Sequence, residues 1–236
     1  MQSQHIVITG TGRAGTSCLV ELFDACGFET NRSKLEYFPE ARAGLETDLS
    51  SPDAPEVVKA PYLSFALADL IRWGFDPQRV RVIIIPLREL DDAVASRLER
   101  FESSGLDAPG GLWGNERPSR QKAVLAEAEH GLLVTAGRHN IPVVLLDFPG
   151  FVTDADQAWA GLGPVFSERV TREQFLDSHA AVMRPGDVHK QKRYGAMALA
   201  QLDVRWYRLR VIRRVRRLLG HARRAISPKA SMARRV

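Results

Sequence analysis

The stretch Gly10-Thr11-Gly12-Arg13-Ala14-Gly15-Thr16-Ser17 decides the fold. It is entered from His5-Ile6-Val7-Ile8-Thr9 and left through Cys18, Leu19, Leu22, Phe23 and Cys26. The first run is apolar and short enough for a buried strand, and the last set recurs at helical spacing. Strand, glycine-rich turn and helix in that order describe a phosphate-binding loop. Its backbone N–H groups and the positive end of the helix converge on one cluster of anionic oxygens. A loop built for a nucleoside triphosphate carries lysine where this chain has Thr16. Without that cation a magnesium triphosphate is poorly served, whereas a single 5′-phosphate is served well. A tight turn whose glycines only ease packing would look similar, but Thr16 and Ser17 at a helix start weigh against it. The expected phosphate ligands are Gly10, Thr11, Gly12, Arg13, Ala14, Gly15, Thr16 and Ser17.

Downstream, apolar runs alternate with helical patterns, which predicts an α/β fold: three layers around a mostly parallel sheet. After a polar stretch from Thr30 to Pro55, Glu56–Lys59 reads as a short strand stopped by Ala60-Pro61. Helical spacing covers 62–73, and Val80-Arg81-Val82-Ile83-Ile84-Ile85 is the clearest central strand. A helix is expected over Leu90–Phe101, a Gly/Pro loop over Ser103–Pro118, and a long helix over Ser119–His139. Pro142–Leu146 is the last expected strand, followed by helical pieces near Asp154–Leu162 and Arg172–Val182. In such a doubly wound sheet, ligands sit beyond the carboxyl ends of the strands.

Charge is sharply partitioned along the chain. From Arg205 onward there are twelve basic residues and no acid follows Asp203, leaving 21 basic against 28 acidic residues before it. The expected division is therefore 1–204 as the α/β domain and 205–236 as a basic, amphipathic helical tail. Trp206, Leu209, Ile212, Val215, Leu219, Ala222 and Ile226 recur every three or four residues there. That pattern suits a helix on an anionic membrane, reached through Arg205 to Arg235. It also suits a helix packed on the domain or on a partner. Nucleic acid is the weaker partner because no aromatic residues interleave the arginines. No run of about 18 apolar residues suggests a membrane span. The N-terminus enters a strand without a basic leader. A cytoplasmic protein, peripheral on the inner face of the membrane, is the expectation. Cys18 and Cys26, two helical turns apart, are read as small apolar packing groups. The six histidines form no recognisable triad or metal set, and His179 near Asp177 reads as a surface pair. No metal is expected.

A second anion site is suggested by Pro86-Leu87-Arg88 at the end of the central strand, with Ser96 eight residues on in the next helix. A guanidinium fork plus a hydroxyl suits a second, separate phosphate. A surface ion pair and a solvent-facing serine are the bland alternative. With both motifs in place, the chain resembles the sulfotransferase superfamily, whose donor substrate is 3′-phosphoadenosine 5′-phosphosulfate. Gly12–Ser17 looks like that family's 5′-phosphosulfate loop, and Arg88 with Ser96 like its 3′-phosphate motif. Val57-Val58-Lys59-Ala60-Pro61, Asp147–Val152 with Asp154, and Gly110-Gly111-Leu112-Trp113 are similar to weaker family elements. The closing C-terminal glycine-rich motif is not evident, with Lys190–Gly195 a poor substitute.

This resemblance implies transfer of a sulfuryl group to a hydroxyl or amine of a glycan, lipid-linked sugar or small metabolite. Arg13 and Lys59 would stabilise the charge on the leaving phosphate, although Lys59 could equally be a strand-end lysine reaching water. The resemblance also implies a general base after the first helix. Glu36 is the expected residue, with Glu40, Glu46 and Asp48 as rivals. The competing enzyme is a P-loop kinase or NTPase using Mg-ATP, in which Val143–Asp147 would be the metal-bearing strand and Ser17 a metal ligand.

Overall fold

The computed structural model describes residues 4–38, 43–114, 116–188 and 193–226. Four parallel strands form its main sheet. The first is β1 (His5–Ile8), followed by helix α1 (Thr16–Ala25). Next comes a small antiparallel hairpin, β2 (Tyr37–Phe38) and β3 (Ala43–Gly44). Then follow β4 (Val57–Lys59), α2 (Leu63–Arg72), β5 (Val80–Leu87), α3 (Leu90–Ser104), α4 (Gln121–Arg138) and β6 (Val143–Asp147). The chain continues through α5 (Gly150–Thr153), α6 (Ala155–Phe166), α7 (Arg172–Val182) and α8 (Ala196–Ile226). The four expected strands are all present. The hairpin lies inside the stretch expected to be merely polar.

The strand order is β4-β1-β5-β6. From β1 the chain crosses to β4 on one side and then to β5 on the other, so the winding reverses between β1 and β5. In open parallel sheets the crevice at such a reversal is where ligands bind. The glycine loop leaves β1 at this point and Arg88 leaves β5 beside it.

Strand residues alternate between the two faces of the sheet, as the two-residue period of a β-strand requires. Ile6, Ile8, Val57, Val82 and Ile84 pack with Leu19, Leu22 and Phe23 of α1, with Leu162 and Phe166 of α6 and with Phe175 of α7. Val7, Val58, Ile83 and Ile85 pack instead with Leu63 and Leu67 of α2 and Leu132 and Ala136 of α4. Helices therefore cover the sheet from two sides, an arrangement compatible with the three-layer expectation. His179 departs from its reading as a surface group. It is buried on α7, its Nε2 2.8 Å from the Phe151 carbonyl oxygen.

Helix α8 begins at Ala196, so a boundary between Val204 and Arg205 falls inside it. Leu202 and Trp206 are buried against Leu98 and Phe101 of α3, with Leu199 and Leu209 beside them. Asp203 accepts from the N–H and hydroxyl of Ser119 at 3.0 and 2.6 Å, and Arg213 pairs with Asp107 at 2.8 Å. The proposed single apolar stripe of the tail divides: Trp206 is docked, whereas Ile212 and Val215 are about half exposed. Among the described residues no helix is long and apolar enough to cross a membrane.

Because Trp206 is only 6% exposed in a cluster shared with α3, Trp206→Ala should destabilise the whole protein by about 3 kcal/mol. Urea unfolding followed by far-ultraviolet circular dichroism measures this. An unchanged midpoint would mean α8 is not docked there.

Candidate functional site

The glycine loop departs from ordinary backbone geometry at several residues: Gly10, Gly12, Arg13 and Gly15 all have positive φ. Gly15, at φ 79°, is the N-cap of α1, and a Cβ there would stand 2.8 Å from Phe151 Cζ. Only glycine fits this approach. Arg13 has φ 60°, a left-handed conformation that costs a non-glycine residue roughly 1–2 kcal/mol. Both its ends are held. Arg88 donates from Nη1 to the Arg13 carbonyl at 2.8 Å, and Arg13 donates from Nε to Ser96 Oγ at 3.0 Å.

Arg88 and Ser96 therefore do not form a site separate from the loop. They line the same cavity of about 620 Å³ as Arg13, Gly15, Thr16 and Ser17. The reason is topological, since β1 and β5 are adjacent and end at one edge. Arg32, Arg100 and Arg184 also line this cavity, making five arginines against Glu21 and Glu99. Arg32 pairs with Glu21 at 3.1 Å, and the Arg88 guanidinium lies over the Phe148 ring at 5.2 Å. Helix α1 opens on the cavity with no acidic side chain in its first turn. Its volume falls in the range of small-molecule sites, and its charge suits an anion.

A second cavity of about 420 Å³ lies on the other side of the hairpin. Glu36, Phe38, Gly44 and Glu46 line it, together with Arg97 and the loop Ala108–Trp113. Tyr37 and Leu45 line the first cavity instead, so successive residues of β2 and of the chain leaving β3 face opposite cavities. The hairpin is a partition.

Lys59 and Arg13 stand at the border. Lys59 is 3% exposed at the end of β4, and its Nζ donates to Ser17 Oγ at 3.1 Å, a residue of the first cavity. The same ammonium donates to the Gly44 carbonyl and lies 3.9 Å from Glu46 Oε1, both in the second cavity. Lys59 is thus a fixed internal cation and does not extend into water. Burial pushes its pKa down to about 8, with Glu46 opposing the shift and Arg13 adding to it. A Cβ on Gly110 would stand 3.0 Å from Arg13 Nη1, so the Arg13 guanidinium also reaches the loop of the second cavity.

Arg97 is the residue that the sequence reading missed. It is 2% exposed, donates from Nη1 to the Gly111 carbonyl at 2.6 Å and from Nη2 to the Thr11 carbonyl, and lies over the Trp113 ring at 4.3 Å. Burial, with the nearby charge of Arg13, lowers its pKa to about 9, so it remains charged at neutral pH.

The expected base Glu36 and its rival Glu46 both face the second cavity, and both are exposed there. Asp48 instead holds the turn, accepting from the Ser50 N–H at 2.8 Å and the Ser50 hydroxyl at 2.7 Å. Glu40 and Lys190 to Lys192 lie outside the described residues. Of the expected phosphate ligands, Gly10, Thr11, Gly12 and Ala14 do not line the first cavity, and Thr11 and Ala14 are fully buried. Asp147, the presumed metal-strand acid of the kinase reading, ends the edge strand β6 and accepts from the Gly150 N–H at 3.1 Å. No protein-family model matches the chain, and no curated protein or solved structure matches it.

Lys59 supplies a test of this geometry. In the folded protein it loses its proton near pH 8, whereas the unfolded chain holds it to about 10.5. Between those values the unfolded state binds more protons, so this group's contribution to stability rises with pH. Relative to Lys59→Met, the wild type should gain on the order of 3 kcal/mol between about pH 7 and about pH 10.5. Urea titrations of both proteins check it, and parallel pH profiles would contradict a buried Lys59.

Proposed function

We propose that the chain is a sulfotransferase, moving a sulfuryl group from 3′-phosphoadenosine 5′-phosphosulfate to a hydroxyl or amine. One observation carries this reading. A cavity lined by five arginines and a smaller cavity lined by Glu36, Glu46 and Arg97 have Arg13 and Lys59 between them, with the phosphate-type loop at the border. On this reading the finer fold expectation, a phosphate-binding loop in a three-layer domain, also holds.

The donor substrate occupies the larger cavity. Gly15, Thr16 and Ser17 take its 5′ end at the start of α1, and Arg88 with Ser96 and neighbouring arginines takes its 3′-phosphate. The acceptor enters the smaller cavity past Phe38 and Trp113. Its nucleophilic oxygen or nitrogen attacks sulfur as the bond from sulfur to the bridging phosphate oxygen breaks. The electron pair of that bond leaves with the phosphate, and the acceptor proton passes to a carboxylate. Arg13 and Lys59 face the oxygen that gains charge, which lowers the barrier because they are already oriented and partly desolvated. Glu46 serves better than Glu36 as the proton acceptor, because its carboxylate reaches within 3.9 Å of Lys59 at the junction.

Mg-ATP chemistry has less support. The loop has Thr16 in place of lysine, and Asp147 is engaged in the turn after an edge strand that β5 separates from β1. A thermal-shift comparison separates the readings, with 3′-phosphoadenosine 5′-phosphate stabilising the protein more than Mg-ATP does.

Arg88→Ala should weaken 3′-phosphoadenosine 5′-phosphate binding by about 1.5–3 kcal/mol, the usual worth of a charge-assisted contact. Isothermal titration calorimetry measures this, and unchanged affinity removes Arg88 from the site. Once an acceptor is identified, Glu46→Gln should lower kcat by roughly 10²–10⁴-fold. Glu36→Gln should stay near wild type, and the reverse pattern would assign the base to Glu36.

A further inference from the structure

Helix α8 carries two apolar faces. Leu199, Leu202, Trp206 and Leu209 turn toward the domain. Val204, Tyr207, Val211 and Val215 stand away from it, at 59%, 52%, 60% and 48% exposure. These four are spaced three and four residues apart, so they share one side of the helix. Met197, seven residues before Val204, lies on the same side and is also exposed. At about 100° per residue, Arg208 falls at one edge of this stripe and Arg214 at the other.

We propose that this outward face of α8 docks on an anionic lipid bilayer, with the helix lying in the plane of the surface. An apolar stripe between arginines is the arrangement that places side chains at the acyl boundary and guanidinium groups among headgroups. The stripe belongs to a strongly cationic segment: twelve basic residues and no acid follow Asp203. That charge selects the partner. A second copy of this helix would set arginines against arginines across the interface, and a nucleic acid would use the charge while leaving four apolar side chains in water. An anionic membrane satisfies both features of the face. The docked inner stripe, with Asp203 on Ser119 and Arg213 on Asp107, holds the helix to the domain while its outer side is presented.

Flotation of the full chain with phosphatidylglycerol vesicles and with phosphatidylcholine vesicles tests this. Point variants are preferable to truncation after residue 204, which would remove the buried Trp206. The wild type is expected to float with the anionic vesicles and not with the neutral ones, with the bound fraction falling as salt rises. Val204→Glu/Val211→Glu/Val215→Glu and Arg208→Glu/Arg214→Glu should each reduce binding roughly tenfold or more. Because these side chains lie off the packed face, both variants should melt like the wild type. If either unfolds, the wild-type lipid and salt series still decides. Wild-type protein that stays unbound, or floats equally with neutral vesicles, overturns the proposal. So does a well-folded triple-glutamate variant that floats unchanged, since the association would then be electrostatic alone. Light scattering that finds a dimer dissolved by the triple variant, without flotation, would assign the stripe to a second copy.

Discussion

A charged guanidinium buried beneath the glycine loop sets the geometry of the site. Arg97 donates to carbonyls of Thr11 and Gly111 and lies against Trp113, so two loops distant in sequence close on α3. A buried cation must find acceptors, because leaving it unpaired costs several kcal/mol, about as much as many domains have in total. The loop path follows from that requirement. Gly12 has φ 64°, a conformation that strains a side chain, and a Cβ there would crowd Arg97 Nη2 at 3.0 Å, so glycine suits the close approach. The carbonyl-lined seat of Arg97 also fixes the loop Ala108–Trp113, and with it one wall of the second cavity.

Electrostatics link this seat to the proposed chemistry. Burial is the main cause of the lowered pKa of both Arg97 and Lys59, and the charge of Arg13 adds to it, so three cations are held close together. Glu46 is the acid that opposes both shifts. An anion placed where the two cavities meet would relieve this repulsion, and any ligand bound by the folded state alone raises stability. A phosphate-bearing substrate would thus stabilise a cluster of charges that is costly without it. The left-handed Arg13 belongs to the same pattern, being held at both ends by Arg88 and Ser96.

Much of the fold was legible in the sequence because its strands are apolar runs bounded by glycine, proline and charge. His5–Ile8 and Val80–Leu87 needed only that signal. The hairpin Tyr37–Phe38 with Ala43–Gly44 lacks it. Two-residue strands are too short to show alternation, and Glu36 and Tyr37 are exposed. Arg97 was hidden by its type, yet its position was readable. It falls four residues after Ala93 and four before Phe101, both on the buried side of α3. That register places its Cα on the buried side of the helix. Position 88 was read correctly as a strand-end cation, but sequence could not tell that β5 lies beside β1, which merges two expected anion sites into one cavity. The apolar positions read as one stripe in the tail divide for a geometric reason. Trp206, Leu209, Ile212 and Val215 are spaced by three, and on a helix of 3.6 residues per turn such a series winds around the axis. It begins on the docked face at Trp206 and ends on the exposed face at Val215.

The absent loop lysine is the feature whose meaning changes most between sequence and structure. In a nucleoside-triphosphate loop the cation rises from the helix start and reaches along the phosphate chain. Here Thr16 holds that place, and the cation nearest the helix start is Lys59 of the neighbouring strand. Parallel pairing sets Lys59 beside Ile8, the last residue of β1, and from there its ammonium reaches Ser17. A lysine anchored in a strand cannot follow a long phosphate chain. It is held instead between the glycine loop and the hairpin that divides the two cavities. Its burial lowers the pKa to about 8 while leaving most of the charge at neutral pH. A fixed cation at a boundary is suited to one bond, broken on one side as another forms on the other. On the proposed reading, that placement suits transfer of a single group between two substrates.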